Sequence, residues 1–197
     1  MAVSTANVLV GAPDRVTGAC MVAPLGTALP TTPIVAPNVA FVDLGYISED
    51  GVSVSQAGSW EKIRDWGGDQ VRTFLSDITY TLAWTFLETQ DEALTAMYGA
   101  ANVTVTPATV STGKYTAVKL NSTEAPPKSW IFNMADSTVV DLPRTYRIVV
   151  PNGQITERGD LQFSRTGAVM YPVTLEAYPD ATGNSVYLYR SDGDFSS

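Results

Sequence analysis

The stretch QVRTFLSDITYTLAWTFLET, residues 70–89, constrains this chain more than any other. Its even positions read Phe74, Ser76, Ile78, Tyr80, Leu82, Trp84 and Phe86, and its odd positions read Thr73, Leu75, Asp77, Thr79, Thr81, Ala83 and Thr85. A period of two, with one apolar and one mainly hydroxylated face, marks a strand. At ~3.3 Å per residue an unbroken strand here would reach roughly 60 Å, far beyond the usual length. It must bend, bulge or run past the body of its own domain. It is no membrane helix, because a span needs ~20 mostly apolar residues and polar ones recur all along it.

The rest of the composition agrees with a β-rich chain. With 45% hydrophobic and 16% charged residues in 197, there is material for one sizeable core. Thr, Val, Tyr and Ser abound while strong helix formers are sparse. The net charge of −8 argues against gripping nucleic acid, since that affinity comes from Lys and Arg displacing counterions. The single cysteine, Cys20, allows no internal disulfide, and its Ala-Cys-Met-Val setting suits a small buried hydrophobe. The opening MAVSTANVLVGAPDR lacks the basic and apolar regions of a secretory signal, so synthesis in the cytoplasm is expected.

Along the chain, residues 1–38 carry Pro13, Pro24, Pro30, Pro33 and Pro37, which rule out a long helix. They read either as an extended N-terminal arm, ordered only by packing on something else, or as a flexible leader. The domain proper is expected over residues 39–197. It opens with a strand over about 39–47, closed by a Ser-Glu-Asp-Gly turn. Residues 51–68, with four glycines, read as a loop or loose hairpin carrying Trp60, Ile63 and Trp66. After the long strand, DEALTAMYG is the one convincing helix: Thr89 and Glu92 have capping-box spacing, Gly99 is a stop, and Leu94, Met97 and Tyr98 share a face. Further strands are expected at about 101–107, 114–121, 128–135 and 138–150, with Pro-Asn-Gly at 151–153 turning a hairpin. AVMYPVTLEAY and SVYLYR supply the last two.

Catalytic chemistry has little to work with. The chain has no histidine, which removes Ser-His-Asp and Cys-His arrangements and the commonest zinc ligand. Gly67-Gly68-Asp69 lacks the Lys-Ser/Thr ending of a phosphate loop and precedes a strand where a helix is needed. Carboxylate pairs remain: Glu49 with Asp50, Asp65 with Asp69, and Asp136 with Asp141. Each sits in a turn or at a strand end, where acidic residues are commonly just solvated. Asn102-Val103-Thr104 and Asn121-Ser122-Thr123 match the glycosylation pattern, and Arg158-Gly159-Asp160 an adhesion tripeptide; all three read as chance. No catalytic, cofactor-binding or metal-binding residue is assigned.

At residues 43–99 the pattern becomes familiar. DLGYISEDGVSVS, IRDWGGDQVRTF, TYTLAWTFLET and a short helix ending in MYG occur in that order, and TGAVMYPVTLEAYPDATGNSVYLYR closes the chain. Together they resemble the major tail tube proteins of long, non-contractile-tailed phages, siphovirus-type, particularly those of actinobacterial hosts. The resemblance covers the chain from about residue 39 onward and leaves the N-terminal arm outside it. It implies a mainly β, sandwich or barrel-like subunit with one short flanking helix. It also implies self-assembly, with six subunits joining sheet edges into a ring and rings stacking into the tail tube of the virion.

The implied partners are copies of the chain itself, a tape measure protein in the lumen, and tail terminator and distal tail proteins at the ends. Double-stranded DNA would pass through without specific binding, helped by an acidic lumen, and no membrane or cofactor is involved. On this reading the Phe74–Trp84 face packs the core, the Thr-rich face lines a wall, and the 51–68 loop reaches toward the next ring. The rival readings are a soluble β-sandwich binding module, a carbohydrate binder or surface adhesin using Trp60 and Trp66, a different phage tail ring component, and an enzyme using a carboxylate pair.

Overall fold

The long period-two stretch is a strand in the computed structural model, which describes residues 8, 10–13, 19–136 and 144–191. Eleven strands and one helix occur among those residues: β1 (Ala12–Pro13), β2 (Cys20–Pro24), β3 (Val42–Asp43), β4 (Ser53–Arg64), β5 (Gln70–Phe86), α1 (Asp91–Tyr98), β6 (Val103–Thr106), β7 (Tyr115–Val118), β8 (Lys128–Asp136), β9 (Arg144–Arg158), β10 (Tyr171–Tyr178) and β11 (Tyr187–Ser191). Nine of the strands form one antiparallel sheet in the order β3-β2-β8-β9-β10-β5-β4, with β1 added to β8 and β11 to β9. β6 and β7 pair separately. The protein is mainly β with one short helix, as expected, but the sheet stays open and does not close into a barrel.

The main core lies on one face of this sheet. Alternation puts Cys20 and Val22, Leu82, Trp84 and Phe86, Trp130 and Phe132, and Ile148 and Val150 on that side, each buried. Trp84 is the hub: its ring meets Phe86, Trp130 and Phe132 edge-on at centroid distances of 5.5, 5.6 and 5.0 Å. Such pairs add ~0.5–1.5 kcal/mol each beyond area burial. α1 closes this face with Ala93, Leu94, Ala96 and Met97 buried, and the β6–β7 hairpin adds Val103 and Val118. The expected apolar helix face is present, and Gly99 ends the helix at φ +84° with its N–H on the Thr95 oxygen. The cap differs. Gln90 occupies the N-cap without a side-chain bond, while the Thr89 hydroxyl instead lies 3.2 Å from that of Tyr171.

The other face is covered over part of its area. Ala23, Ile131 and Val149 point there and are buried beneath Phe41 and Leu29. Buried Arg147 fastens the proline-rich segment: Nε donates to Asn133 Oδ1 at 2.6 Å, and Nη1 to the Thr32 and Val35 main-chain oxygens. Residues 20–24, from the stretch read as an arm, are a sheet strand paired with β8 along its length.

Three other expectations change. The strand expected over 39–47 shrinks to β3 and a single bridge from Ile47 to Phe86. Residues 53–64 are no loop but the twelve-residue strand β4, paired along its whole length with β5. Pro-Asn-Gly turns no hairpin, and β9 runs straight through it from Arg144 to Arg158. The triplet forms a bulge opposite Ser129, where the Ser129 hydroxyl donates to the Pro151 oxygen (2.7 Å) and Trp130 Nε1 to the Gly153 oxygen (3.0 Å). A bulge is where proline is tolerated inside a sheet. Here it marks the point at which β9 changes its outer neighbour from β11 to β10. Of the strand expected over 138–150, residues 138–143 lie outside those described.

Candidate assembly interface

β10 pairs with β5 only from Tyr80 to Phe86, so the first half of β5 has β4 as its sole neighbour. The two strands leave the sheet as a twisted ribbon. Burial follows the geometry: residues 70–78 are exposed, 79–81 half-buried, and Leu82, Trp84 and Phe86 buried. Seventeen residues at ~3.3 Å make β5 roughly 55 Å long, so about half of it stands beyond the body.

The ribbon also corrects the expected faces. Ser59 pairs with Asp77 but Trp60 with Leu75, which leaves Ser76 as an extra residue in β5. A bulge shifts a period-two pattern by one, so every side chain beyond it changes sides. Phe74 therefore leaves the face of Leu82 and Trp84 and lies opposite Glu61. Leu75 takes its place, beside Trp60 and Ile78, and a Cβ added to Gly58 would stand 3.3 Å from Leu75 Cδ1 and 3.8 Å from Trp60 Nε1. Only residues 80–86 pack the core. The distal apolar stripe of Trp60, Leu75 and Ile78 is left 63, 42 and 40% exposed.

DWGGD is the turn of this ribbon. Asp65 Oδ1 accepts from the Asp69 N–H (2.7 Å), the Asp65 N–H donates to the Asp69 oxygen (2.9 Å), and Gly68 takes φ +93°. Arg64 closes it through Nη1 on the Gly68 oxygen. That left-handed φ is costly for any residue with a Cβ. The Asp65–Asp69 pair is thereby accounted for by turn chemistry. Trp66, at the tip, is fully exposed.

The other candidate groups also serve the fold or stand apart. Glu49 and Asp50 lie in the Ser48–Gly51 turn, closed by the Gly51 N–H on the Ser48 oxygen. Asp136 is buried at the end of β8, in register with Arg144, and accepts from the Val10 N–H; Asp141 lies outside the described residues. Asn102 is 5% exposed, with Nδ2 on the Tyr98 and Thr123 oxygens and Oδ1 accepting from Asn121, so it ties the helix end to the β6–β7 segment. In Arg158-Gly159-Asp160, Arg158 is committed to the oxygen of Met97 and Gly159 to that of Pro172. Cys20 is fully buried, and burial pushes its thiol well up. At the helix start Asp91 is held below its ordinary value by Lys114 and Thr116, and the same contact raises Lys114. Among the described residues no cluster of three His, Cys, Asp or Glu could hold a metal ion.

The open part of the second face, over β4, β5, β10 and the end of β9, has a distinct character. Cross-strand register places Ser53, Ser55, Thr79, Thr81, Thr85 and Thr174 on it together with Glu157 and Glu176. None of these eight positions is Lys or Arg; the one cation that the register puts on the same face of β4–β5 is Arg72, opposite Ile63, far out on the ribbon. The outer edge of β4, twelve residues long, has no strand beside it among the described residues. Free main-chain donors and acceptors along such an edge are a template for another strand. The sequence reading missed Leu75 and the strand character of 53–64; the alternation in VSVSQAGSW was the available signal.

A family model described as phage tail tube protein matches residues 1–194. Two solved structures align along nearly the whole chain. One is the tube-terminating cap of the anti-feeding prophage, at 11% identity and TM-score 0.41, covering 97% of this chain and 100% of that one. The other is the sheath-tube complex of an extracellular contractile injection system in the extended state, at 13% identity and TM-score 0.39, covering 96% and 100%. No curated protein matches.

Proposed function

The chain belongs to the phage tail tube protein family, and from that premise we propose that it assembles into hexameric rings that stack into a conduit for double-stranded DNA. As a structural tail protein its place is the virion. The observation that carries the reading is the ribbon. A two-stranded hairpin is marginal alone in water, yet this one extends about ten residues past its last sheet neighbour and exposes Trp60, Leu75 and Ile78. Such a construction makes sense when neighbouring copies supply the missing contacts.

In this assembly the free edge of β4 pairs with a neighbour, and a closed ring leaves no edge over. The ribbon reaches toward the next ring. The hydroxyl-rich face bearing Glu157 and Glu176 lines the wall. Without lysine or arginine at those positions it neutralises no phosphates, so DNA passes without sticking. A tape measure protein inside, and terminator and distal tail proteins at the ends, complete the set of partners. The role is mechanical and calls for no catalysis.

Negative-stain microscopy of the concentrated protein tests the proposal directly. Rings or tubes with a central channel are expected. A protein that stays monomeric at every concentration and binds glycans through Trp60 or Trp66 would replace this reading with that of a binding module.

A further inference from the structure

Between β2, β3, the start of α1, β6 and the approach to β8 lies an open groove of about 630 Å³. Its walls are mainly apolar, and Leu25, Val42 and Val105 stand in it 52, 45 and 41% exposed. A concave, mainly apolar surface with a few charged groups at its border is the usual form of a binding site. Three charged residues border it. Asp91 is already held by Lys114, and burial lowers the pKa of Lys128. Glu92 is the exposed carboxylate among them.

The ribbon carries the complementary surface. Because β4 is regular from Ser53 to Ile63, Trp60 and Lys62 project from the same face, with Leu75 and Thr73 as their cross-strand partners. Glu61 projects from the other. One face thus offers an apolar stripe ending in an exposed ammonium, and the groove offers an apolar trough ending in an exposed carboxylate. A Trp side chain buries ~150–250 Å² when such a site takes it in, and Trp is among the residues enriched at the hot spots of protein interfaces.

The two surfaces belong to opposite edges of the sheet. Six strand-to-strand steps separate β3 from β4, and at ~4.8 Å each they span roughly 29 Å. A ribbon directed away from its own sheet cannot reach back to that groove. We infer that the Trp60–Leu75–Lys62 face of the β4–β5 ribbon docks in the Leu25–Val42–Val105 groove of another copy of this chain, with Lys62 meeting Glu92. The contact joins two different patches. Unless two copies exchange ribbons reciprocally and close as a dimer, it is heterologous and propagates as a ring or a stack, which a ladder beyond the dimer would show. The inference rests on the self-assembly proposed above and adds where the ribbon goes.

Two paired experiments test it. Lys62→Glu should raise at least ten-fold the protein concentration needed for tubes in negative stain, and so should Glu92→Lys. Both positions are exposed; Lys62→Glu should leave the melting temperature unchanged, and Glu92→Lys should lower it only slightly, because Glu92 lies in the first turn of α1 and in the field of Lys114. The double variant Lys62→Glu/Glu92→Lys should recover assembly. In parallel, Lys62→Cys/Glu92→Cys protein should give a ladder of covalent multimers on mild oxidation, against a silent background because Cys20 is fully buried. Assembly indifferent to the charge reversals, together with tubes that yield no ladder, overturns the docking and leaves the tube reading standing. A ladder without rings or tubes keeps the docking and removes the tube. Neither ladder nor tubes removes both.

Discussion

Arg158 on β9 donates from Nε to the main-chain oxygen of Met97 on α1 across 2.9 Å. The same guanidinium stands 5.3 Å from the Tyr98 ring centroid. The helix has no basic residue in its own last turn, and Met97 is among the carbonyls left without an intrahelical partner. Arg158 therefore caps from the sheet what the helix cannot cap itself, and its charge suits the negative helix end. Because the side chain is partly exposed, Arg158→Met should cost only about 1–2 kcal/mol. Urea titration checks this, and an unchanged midpoint would mean that the contact contributes nothing.

Trp84→Ala should cost ~3–5 kcal/mol, the usual penalty for emptying a buried aromatic site. Thr81→Ala, on the face away from the core, should cost well under 1 kcal/mol. Trp84→Phe should be mild for its size, since the buried Trp84 Nε1 finds no acceptor among the described residues and loses no bond. Equal destabilisation by the two alanine variants would place the core on the wrong side of β5.

Shortening the ribbon separates folding from assembly. Ser59 and Asp77 face each other in register, so replacing residues 60–76 with Asn-Gly closes a two-residue hairpin at that pair. The body should melt near its normal temperature, because the removed residues are exposed and touch none of the core. Long tubes should be lost. A shortened protein that polymerises normally, or one that fails to fold, contradicts the division of labour proposed for β5.

The loop after β10 gives a pH dependence. Asp180 accepts from the Tyr187 hydroxyl at 2.7 Å, the Thr182 hydroxyl and N–H, and the Asn184 N–H. These bonds, the Tyr187 hydroxyl foremost, hold its carboxyl far below the ordinary range. A carboxyl lowered in the folded state contributes stability that is present above the unfolded value, near 3.9 for Asp. It is lost as pH falls through the folded value. The melting-temperature gap between wild type and Asp180→Asn should thus be widest near neutrality and narrow progressively below about pH 4. A gap independent of pH would show that the carboxylate charge has no part in holding the loop.

The sequence alone determined that this is a β protein with one short helix, and it located β5, α1, β8 and β10, because period-two and period-3.6 patterns are local properties of consecutive residues. It also ruled out histidine and disulfide chemistry, which composition decides. Tertiary structure decided everything that depends on which strand lies beside which. Trp84 and Phe74 share a parity in the sequence, but only the pairing of β4 with β5 reveals the extra residue at Ser76 that sends them to opposite faces. Gly58 and the flanking glycines disguised β4 as a loop, since the partner that makes it a strand is the ribbon's other half. Pro151-Asn152-Gly153 carries a strong hairpin signal, overruled by Ser129 and Trp130 from a neighbouring strand. The proline-rich segment has no pattern of its own, and its place is fixed by Arg147, more than a hundred residues away along the chain. Local patterns fix elements, whereas bulges, partner changes and clamps are set by contacts between residues far apart, which no window along the chain contains.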